Sequence, residues 1–250
     1  MRIAVCVKQV PEGTKRLDPA TKRLDRSGEG ALNPFDANAV EEALRVRERT
    51  GDGEVVVVTM GPPGAADAIR KALAMGADRS VHVVDEAAAG SDLVATSRIL
   101  AAALAREEPD LVLFGQQSAD SDGAVLWAAV AERLERPVIS QVAELSVEGG
   151  KARGKRQTEF GYDLIEAPLP AVVAVSDAVN EPRYPSLKGI MGAKKKPQEQ
   201  VSLADLGVEA GEEASRTSVL ALDDPPARGE PARAESAEEI LAFFEEKRLL

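Results

Sequence analysis

The stretch GQQSADSDG (115–123) holds the polar residues best placed to bind a ligand. It follows an apolar strand-like run and leads toward a helix, so its backbone N–H groups would face an anion such as phosphate. Gly123 permits close approach, and the hydroxyls of Ser118 and Ser121 can donate. Asp120 and Asp122 oppose an anion unless they face elsewhere, and Asp122 reads equally as a plain helix N-cap. Two further stretches, 6–10 and 59–64, also follow strand-like runs, where open parallel sheets bind ligands. Covalent and metal chemistry is poorly provided for. Cys6 is the single cysteine and His82 the single histidine, which excludes an intrachain disulfide, a Cys-Cys zinc site and a two-His site. A Ser-His-Asp triad is nearly excluded as well. Cys6 lies in an apolar run as an inert thiol would, His82 sits in a strand, and Trp127 falls on a helix as core. Neither a Walker A loop nor a G-x-G-x-x-G fingerprint is present, and no carboxylate pair suits acid–base work. These residues point to nucleotide binding without a catalytic set.

The elements that must position these residues follow from hydrophobic patterning. RIAVCV (2–7) and EVVVVT (54–59) are short β-branched runs, continuous rather than alternating, as strands buried on both faces are. Runs at 81–84 and 110–114 repeat the pattern. Between them lie helices: one after Asn33-Pro34-Phe35-Asp36, with Asp36 as expected N-cap; one after GPPG, ending at Gly76; one capped by Ser91; and one from Asp122 to about Leu134. On the first, Glu41 and Arg45 make an i,i+4 pair worth about 0.3 kcal/mol. Strand–helix alternation with short connections predicts a doubly wound α/β domain. Residues 11–33 read as a loop. Beyond Pro137, strands at 138–147, 151–160 and 164–175 read as antiparallel additions, with 171–175 a candidate central strand. Residues 180–200 carry no clear helix or strand pattern. Ser236 and Glu239 form a capping-box pair before a last helix.

At 250 residues a sizeable core needs no staples. Aromatic residues make up only 3%, so Ala, Val and Leu must fill that core. The net charge of −11 argues against a nucleic-acid partner. It is unevenly spread: Arg183, Lys188 and Lys194 to Lys196 make a basic segment before an acidic tail, a pattern that often marks a partner surface, although a lysine run is usually a solvated face. The opening apolar run is too short for a signal peptide or a membrane span, which predicts a cytoplasmic chain without membrane insertion.

One segment carries the reading further. VNEPRYPSLKGIMGAKKKP (179–197) resembles the beta-subunit motif of electron transfer flavoproteins. AVCVKQVP, ALNPFDANAVEEALR, TMGPP, KALAMGADR, LPAVVAV and DLGV match at the expected places along the rest of the chain. The resemblance implies a Rossmann-like fold of the adenine nucleotide alpha hydrolase-like type, with antiparallel additions and an extended C-terminal arm. It implies a nucleotide domain at 1–180, a recognition loop at 181–197 and an arm at 198–250 that packs on an alpha subunit. That alpha subunit would hold most contacts to a redox-active FAD, and this chain a structural AMP. By position, the AMP contacts fall on Cys6, Asn33, Pro34, Phe35, Asp36, Met60 and the stretch 120–131. Within that stretch Asp120, Ser121, Asp122, Gly123, Ala124, Val125 and Leu126 come first. Relatives place Thr, Asn or Gln where this chain has Gly123 to Leu126, so backbone N–H groups and Ser121 would do more of the work. The same departure argues against a second FAD here. The docking residues carry over to Tyr184, Pro185, Ser186, Leu187, Lys188, Gly189, Ile190 and Met191, with Leu187 the anchor. The implied function is electron transfer from acyl-CoA or other dehydrogenases to a membrane quinone oxidoreductase. Alternatives are a Fix-type paralogue that supplies a reductase, a nucleotide-dependent enzyme on the same scaffold, and a stand-alone nucleotide-binding stress protein, which leaves 180–250 unexplained.

Overall fold

In the computed structural model, residues 1–13, 16–208, 215–223, 226, 229 and 233–250 are described. The acidic stretch 209–214 of the expected arm lies outside them. The body opens with β1 (Arg2–Cys6). A ribbon of β2 (Gln9–Pro11) with β5 (Gly30–Leu32) follows, and a small hairpin of β3 (Leu17–Asp18) with β4 (Arg23–Leu24) lies within it. The expected loop at 11–33 is thus partly built. Next come α1 (Pro34–Thr50), β6 (Glu54–Met60), α2 (Ala66–Met75), β7 (Arg79–Val83), α3 (Leu93–Glu107), β8 (Leu111–Gly115) and α4 (Leu126–Arg133). Four consecutive strands follow: β9 (Val138–Glu148), β10 (Lys151–Thr158), β11 (Gly161–Pro168) and β12 (Ala171–Val175). A short helix α5 (Leu187–Ala193) and strand β13 (Gln198–Val201) follow.

One nine-stranded sheet organises the body, in the order β11-β10-β9-β12-β8-β1-β6-β7-β13. From β12 to β13 every pairing is parallel. Strand alternation assigns the two faces. Ile3, Val5, Val55, Val57, Leu111, Leu113 and Val173 face one way, against Val40, Ala43 and Leu44 of α1 and Ile69 and Leu73 of α2. Ala4, Cys6, Val56, Val58, Val112, Phe114 and Val172 face the other, against Ile99, Ala103 and Leu104 of α3 and Val130 of α4. The doubly wound α/β expectation holds, and both layers are Ala-, Val- and Leu-rich as the composition required. The addition beyond Pro137 is mixed. β9 runs parallel to β12 over its first half and antiparallel to β10 over its second.

Several boundaries differ from the sequence expectation. Asn33, not Asp36, is the N-cap of α1, with Pro34 at N1. Asp92, not Ser91, caps α3: its Oδ1 accepts from the Ala95 N–H at 2.9 Å, while Ser91 Oγ donates back to the Ala88 carbonyl. The helix expected from Asp122 begins only at Leu126, because Asp122 (φ 48°) and Ala124 (φ 43°) are left-handed and cannot continue a helix. The segment 180–200, expected to be irregular, contains α5 and the edge strand β13, and residues 198–203 of the expected arm join the sheet layer through buried Val201 and Leu203.

Residues Val219–Leu250 form a second unit, in which α6 (Ala237–Glu246) is the helix expected from the capping pair. Ser236 Oγ accepts from the Glu239 N–H, whereas Glu239 reaches back to the N–H of Glu235 rather than to that of Ser236. Among the described residues, no helix is long and apolar enough to cross a membrane.

Candidate nucleotide crevice and docking segment

The chain leaves β1 toward β6 and β7 on one side, then returns to β8 on the other. The carboxyl ends of β1 and β8 therefore flank the topological switch point, where open α/β sheets bind ligands. Four segments meet there. Cys6 ends β1 and is buried; burial raises its thiol well above the ordinary range, and the nearby Asp36 charge adds to this. The thiol is therefore an unreactive packing group. The Lys8 N–H donates to Asp36 Oδ2 at 2.8 Å, and the Asn33 N–H donates to the Lys8 carbonyl at 2.9 Å. Asn33 also uses both ends of its buried amide. Its Nδ2 donates to the Gln117 carbonyl at 2.9 Å, and its Oδ1 accepts from the Ala119 N–H at 3.0 Å. One side chain thus clips the loop after β8 to the start of α1. Pro34 is exposed and Phe35 half-buried. Asp36 is buried, and burial pushes its carboxyl up to about 7 against the hydrogen bonds from Asn33 and Lys8.

Asp120 is the electrostatic centre of the loop. Its side chain is 1% exposed and lies between Lys8 Nζ at 2.6 Å and Arg26 Nη2 at 2.6 Å. Burial alone would raise its carboxyl; the bonds and charges of Lys8 and Arg26 overcome this and hold it at about 2. Lys8 Nζ also donates to Ser118 Oγ at 3.2 Å and Ser121 Oγ at 3.4 Å. Asp122 does not cap a helix. Its Oδ1 accepts from Gln117 Nε2 at 3.3 Å in the turn that precedes α4. Gly123, Ala124 and Val125 are exposed ahead of the helix, and only Leu126 stands in its first turn. Met60, half-buried, ends the neighbouring β6. The structure thus brings Cys6, Asn33 to Asp36, Met60, Asp120 and Ser121 to one end of the sheet.

Arg26 was not among the expected site residues, and Lys8 only as part of the ligand-binding stretch expected at 6–10. Lys8 directly follows the β1 run, at the end of a strand where ligands bind. Arg26 reaches the site through a loop fold that no local pattern announces. The donors suit a phosphate: Lys8 and Arg26 share the Asp120 carboxylate, and two hydroxyls and an open backbone at Gly123 stand beside them, while the exposed Asp122 carboxylate of the same loop balances the second cation.

The docking candidates lie elsewhere. α2 runs back antiparallel to the strands, so its carboxyl end is at the amino ends of the parallel strands, opposite the switch point. α5 packs there, beside Ala74. Ser186 caps α5 by accepting from the Gly189 N–H at 3.0 Å. Tyr184 is 90% exposed, Leu187 75% and Met191 67%, with Ile190 and Lys188 exposed beside them. Pro185 and Gly189 are half-buried. Of the lysine run, Lys194 and Lys195 are solvated, but Lys196 is turned inward. His82 is buried, with its Nε2 3.1 Å from the Gly61 carbonyl, and Trp127 Nε1 donates to the Gln116 carbonyl at 3.0 Å; both are structural.

Comparison with known proteins agrees with this architecture. Residues 21–206 match the electron transfer flavoprotein domain family. The electron transfer flavoprotein subunit beta of Mycobacterium tuberculosis is 42% identical over 237 residues, 90% of this chain and 89% of that protein. The human protein of the same name is 36% identical over 257 residues, 98% of this chain and 97% of that one. A caffeyl-CoA reductase-Etf complex subunit of Acetobacterium woodii is 42% identical over 235 residues, covering 92% and 90%. The family is one of electron carriers rather than enzymes. With its doubly wound sheet and a family match over most of its length, the chain belongs to the electron transfer flavoprotein family, among its beta subunits.

Proposed function

We propose that this chain pairs with an alpha subunit that carries the redox-active FAD, holds a structural AMP in its own switch-point crevice, and presents residues 184–191 to acyl-CoA or other dehydrogenases. Electrons then pass to a membrane quinone oxidoreductase. The FAD supplies all the redox chemistry. This chain's residues bind, orient and dock. The observation that carries the reading is the exposed apolar row of Tyr184, Leu187 and Met191 on a segment of defined structure, with Lys188, Lys194 and Lys195 solvated nearby. A few apolar anchors carry most of an interface's energy, while surrounding charge raises the encounter rate.

Leu187→Ala in the purified heterodimer is expected to weaken transfer from a reduced acyl-CoA dehydrogenase of the same cell by at least tenfold. The melting temperature and flavin content should stay unchanged. Undiminished transfer would remove Leu187 as the anchor. At the switch point, Lys8 and Ser121 would hold the AMP phosphate, with backbone N–H groups of the following turn. Nucleotide extraction should return AMP from the parent heterodimer, and at least tenfold less after dialysis of Lys8→Met. Equal retention would place the phosphate elsewhere.

A second reading is favoured by one relative. The similarity to a caffeyl-CoA reductase-Etf complex subunit supports a subunit that exchanges electrons with a reductase, as a Fix-type paralogue does, instead of serving fatty acid oxidation. Co-purification of the heterodimer with its native dehydrogenase or reductase separates the two.

A further inference from the structure

A seven-residue helix that contains Gly189 and Gly192 has little stability of its own, since isolated helices shorter than about 12 residues are marginal in water. α5 must therefore be held by its surroundings, and two charged anchors bracket it.

Ahead of the helix stands Arg183. Its Nε donates to Glu41 Oε2 at 2.6 Å, its Nη2 to Glu41 Oε1 at 3.1 Å and its Nη1 to Glu48 Oε1 at 2.8 Å. Its backbone N–H reaches the same Glu41 carboxylate at 3.2 Å. Both acids belong to α1. Glu41 is 3% exposed at its side chain, so it is a buried carboxylate that must be paired. Burial acts to raise its pKa, and the bonds from Arg183 and Arg45 reverse that and lower it. Just upstream, Asn180 Nδ2 donates to the Asn38 carbonyl at 3.1 Å, and Asn38 Nδ2 donates to the Asn180 carbonyl at 2.8 Å.

Behind the helix stands Lys196. Its Nζ donates to the carbonyls of Leu73 and Ala77, groups at and just beyond the last turn of α2 that the helix itself cannot satisfy. Between the anchors, Ala193 is buried, and Gly189 lies so close to the Ala74 carbonyl that a Cβ there would collide with it. The outward positions, Tyr184, Leu187 and Met191, carry none of this structural duty.

We propose that Glu41 and Arg183 are a positioning pair which, together with Lys196, presents Tyr184, Leu187 and Met191 as a preformed face, so that the partner meets an element already in its docking shape. This rests on the docking role proposed above. Preorganisation removes the ordering penalty that a flexible loop meets on binding. Its loss appears as weaker association with the dehydrogenase and leaves the rate at saturation nearly intact.

The test uses the whole flavin-loaded heterodimer and two readouts. In Arg183→Gln, amide hydrogen exchange across 187–193 should accelerate at least tenfold, while amides of α1 around Val40 and Leu44 keep parental protection. The KM for a reduced acyl-CoA dehydrogenase should rise about tenfold with kcat changed less than twofold. Glu48→Gln leaves the buried Glu41 bond in place, folds without difficulty, and should give two- to threefold effects in the same direction. Parental exchange across 187–193 in both variants overturns the proposal, as does equal loosening of α1, which would make the pair a general support of the fold. Failure of the docking role itself is read separately: a Leu187→Ala protein that docks normally sinks that role, whatever the exchange data show.

Discussion

Replacing Gly115 with alanine is expected to destabilise the body by about 3 kcal/mol, near the upper end of the usual overpacking range. A Cβ at this position would stand 2.5 Å from the Phe35 carbonyl carbon and 2.6 Å from Asp36 Oδ1. The first of these is backbone at the start of α1 and cannot turn aside as a side-chain tip could. Relief requires α1 to shift away from the end of β8, which pulls the Asn33 clip off Gln117 and Ala119 and opens the crevice. Thermal denaturation should show a fall of roughly 6–12 °C for a body of this size. If the proposed AMP site is right, nucleotide retention should drop with it. An unchanged melting temperature would mean that α1 and β8 are not in such close contact. Gly123, with nothing within 4 Å of its would-be Cβ, is the control: alanine there should leave stability within about 0.5 kcal/mol.

The second large effect is on pH dependence. Burial raises Asp36 to about 7, while in the unfolded chain it keeps its ordinary value near 3.8. Between those values the folded chain holds a proton that the unfolded chain has lost. Stability must therefore fall as pH rises from about 4 to 7, by roughly 4 kcal/mol over the whole window at about 1.4 kcal/mol per unit. Asp120 acts in the opposite sense. Its folded value of about 2 gives stability that is present above pH 4 and lost as pH falls toward 2. In Asp36→Asn the amide oxygen can still accept from the Lys8 N–H, but nothing titrates. Urea denaturation at pH 5, 6, 7 and 8 should show a declining midpoint in the parent; in the variant the decline should vanish, leaving the opposite, rising contribution of buried His82, whose pKa burial lowers. The same slope in both would assign the pH dependence to another group.

The layered core was legible because β-branched runs and helical spacing report burial directly. Ile3, Val5, Val55 and Val57 read as strand interior from their neighbours alone and are fully buried. The central position of 171–175 was likewise readable from an unbroken apolar run. Helix starts were less so. Asp36 has the residue type of an N-cap, yet it lies three residues inside α1, because Pro34 begins the helix and Asn33 precedes it. Asp122 has the type too, but its left-handed backbone belongs to a turn held by the Ser118 carbonyl and by Gln117, which local sequence does not display. The segment at 180–200 looked irregular because its order comes from tertiary partners. Glu41 and Arg45 read as an ordinary surface pair; nothing nearby in sequence shows that Arg183 completes the arrangement from 142 residues away. Arg26 is equally illegible, since its partner Asp120 lies 94 residues away.

The position of β12 between β8 and β9 has a consequence for how the chain assembles as it leaves the ribosome. β1, β6, β7 and β8 are adjacent in the finished sheet and emerge early, so they can pair as soon as residue 115 is free. β8 then waits with one edge bare until residues 171–175 arrive, and β9 has no parallel neighbour until the same moment. β13 follows later still and closes β7 at the far margin. Slow, sequence-distant parallel pairing leaves strand edges open to other chains during synthesis. α5 lies on the crossover that carries the chain from β12 across the sheet to β13, so the exposed face proposed for docking is among the last parts of the body to be completed. A nascent chain would thus lack the proposed docking face until its central strand β12 has joined the sheet.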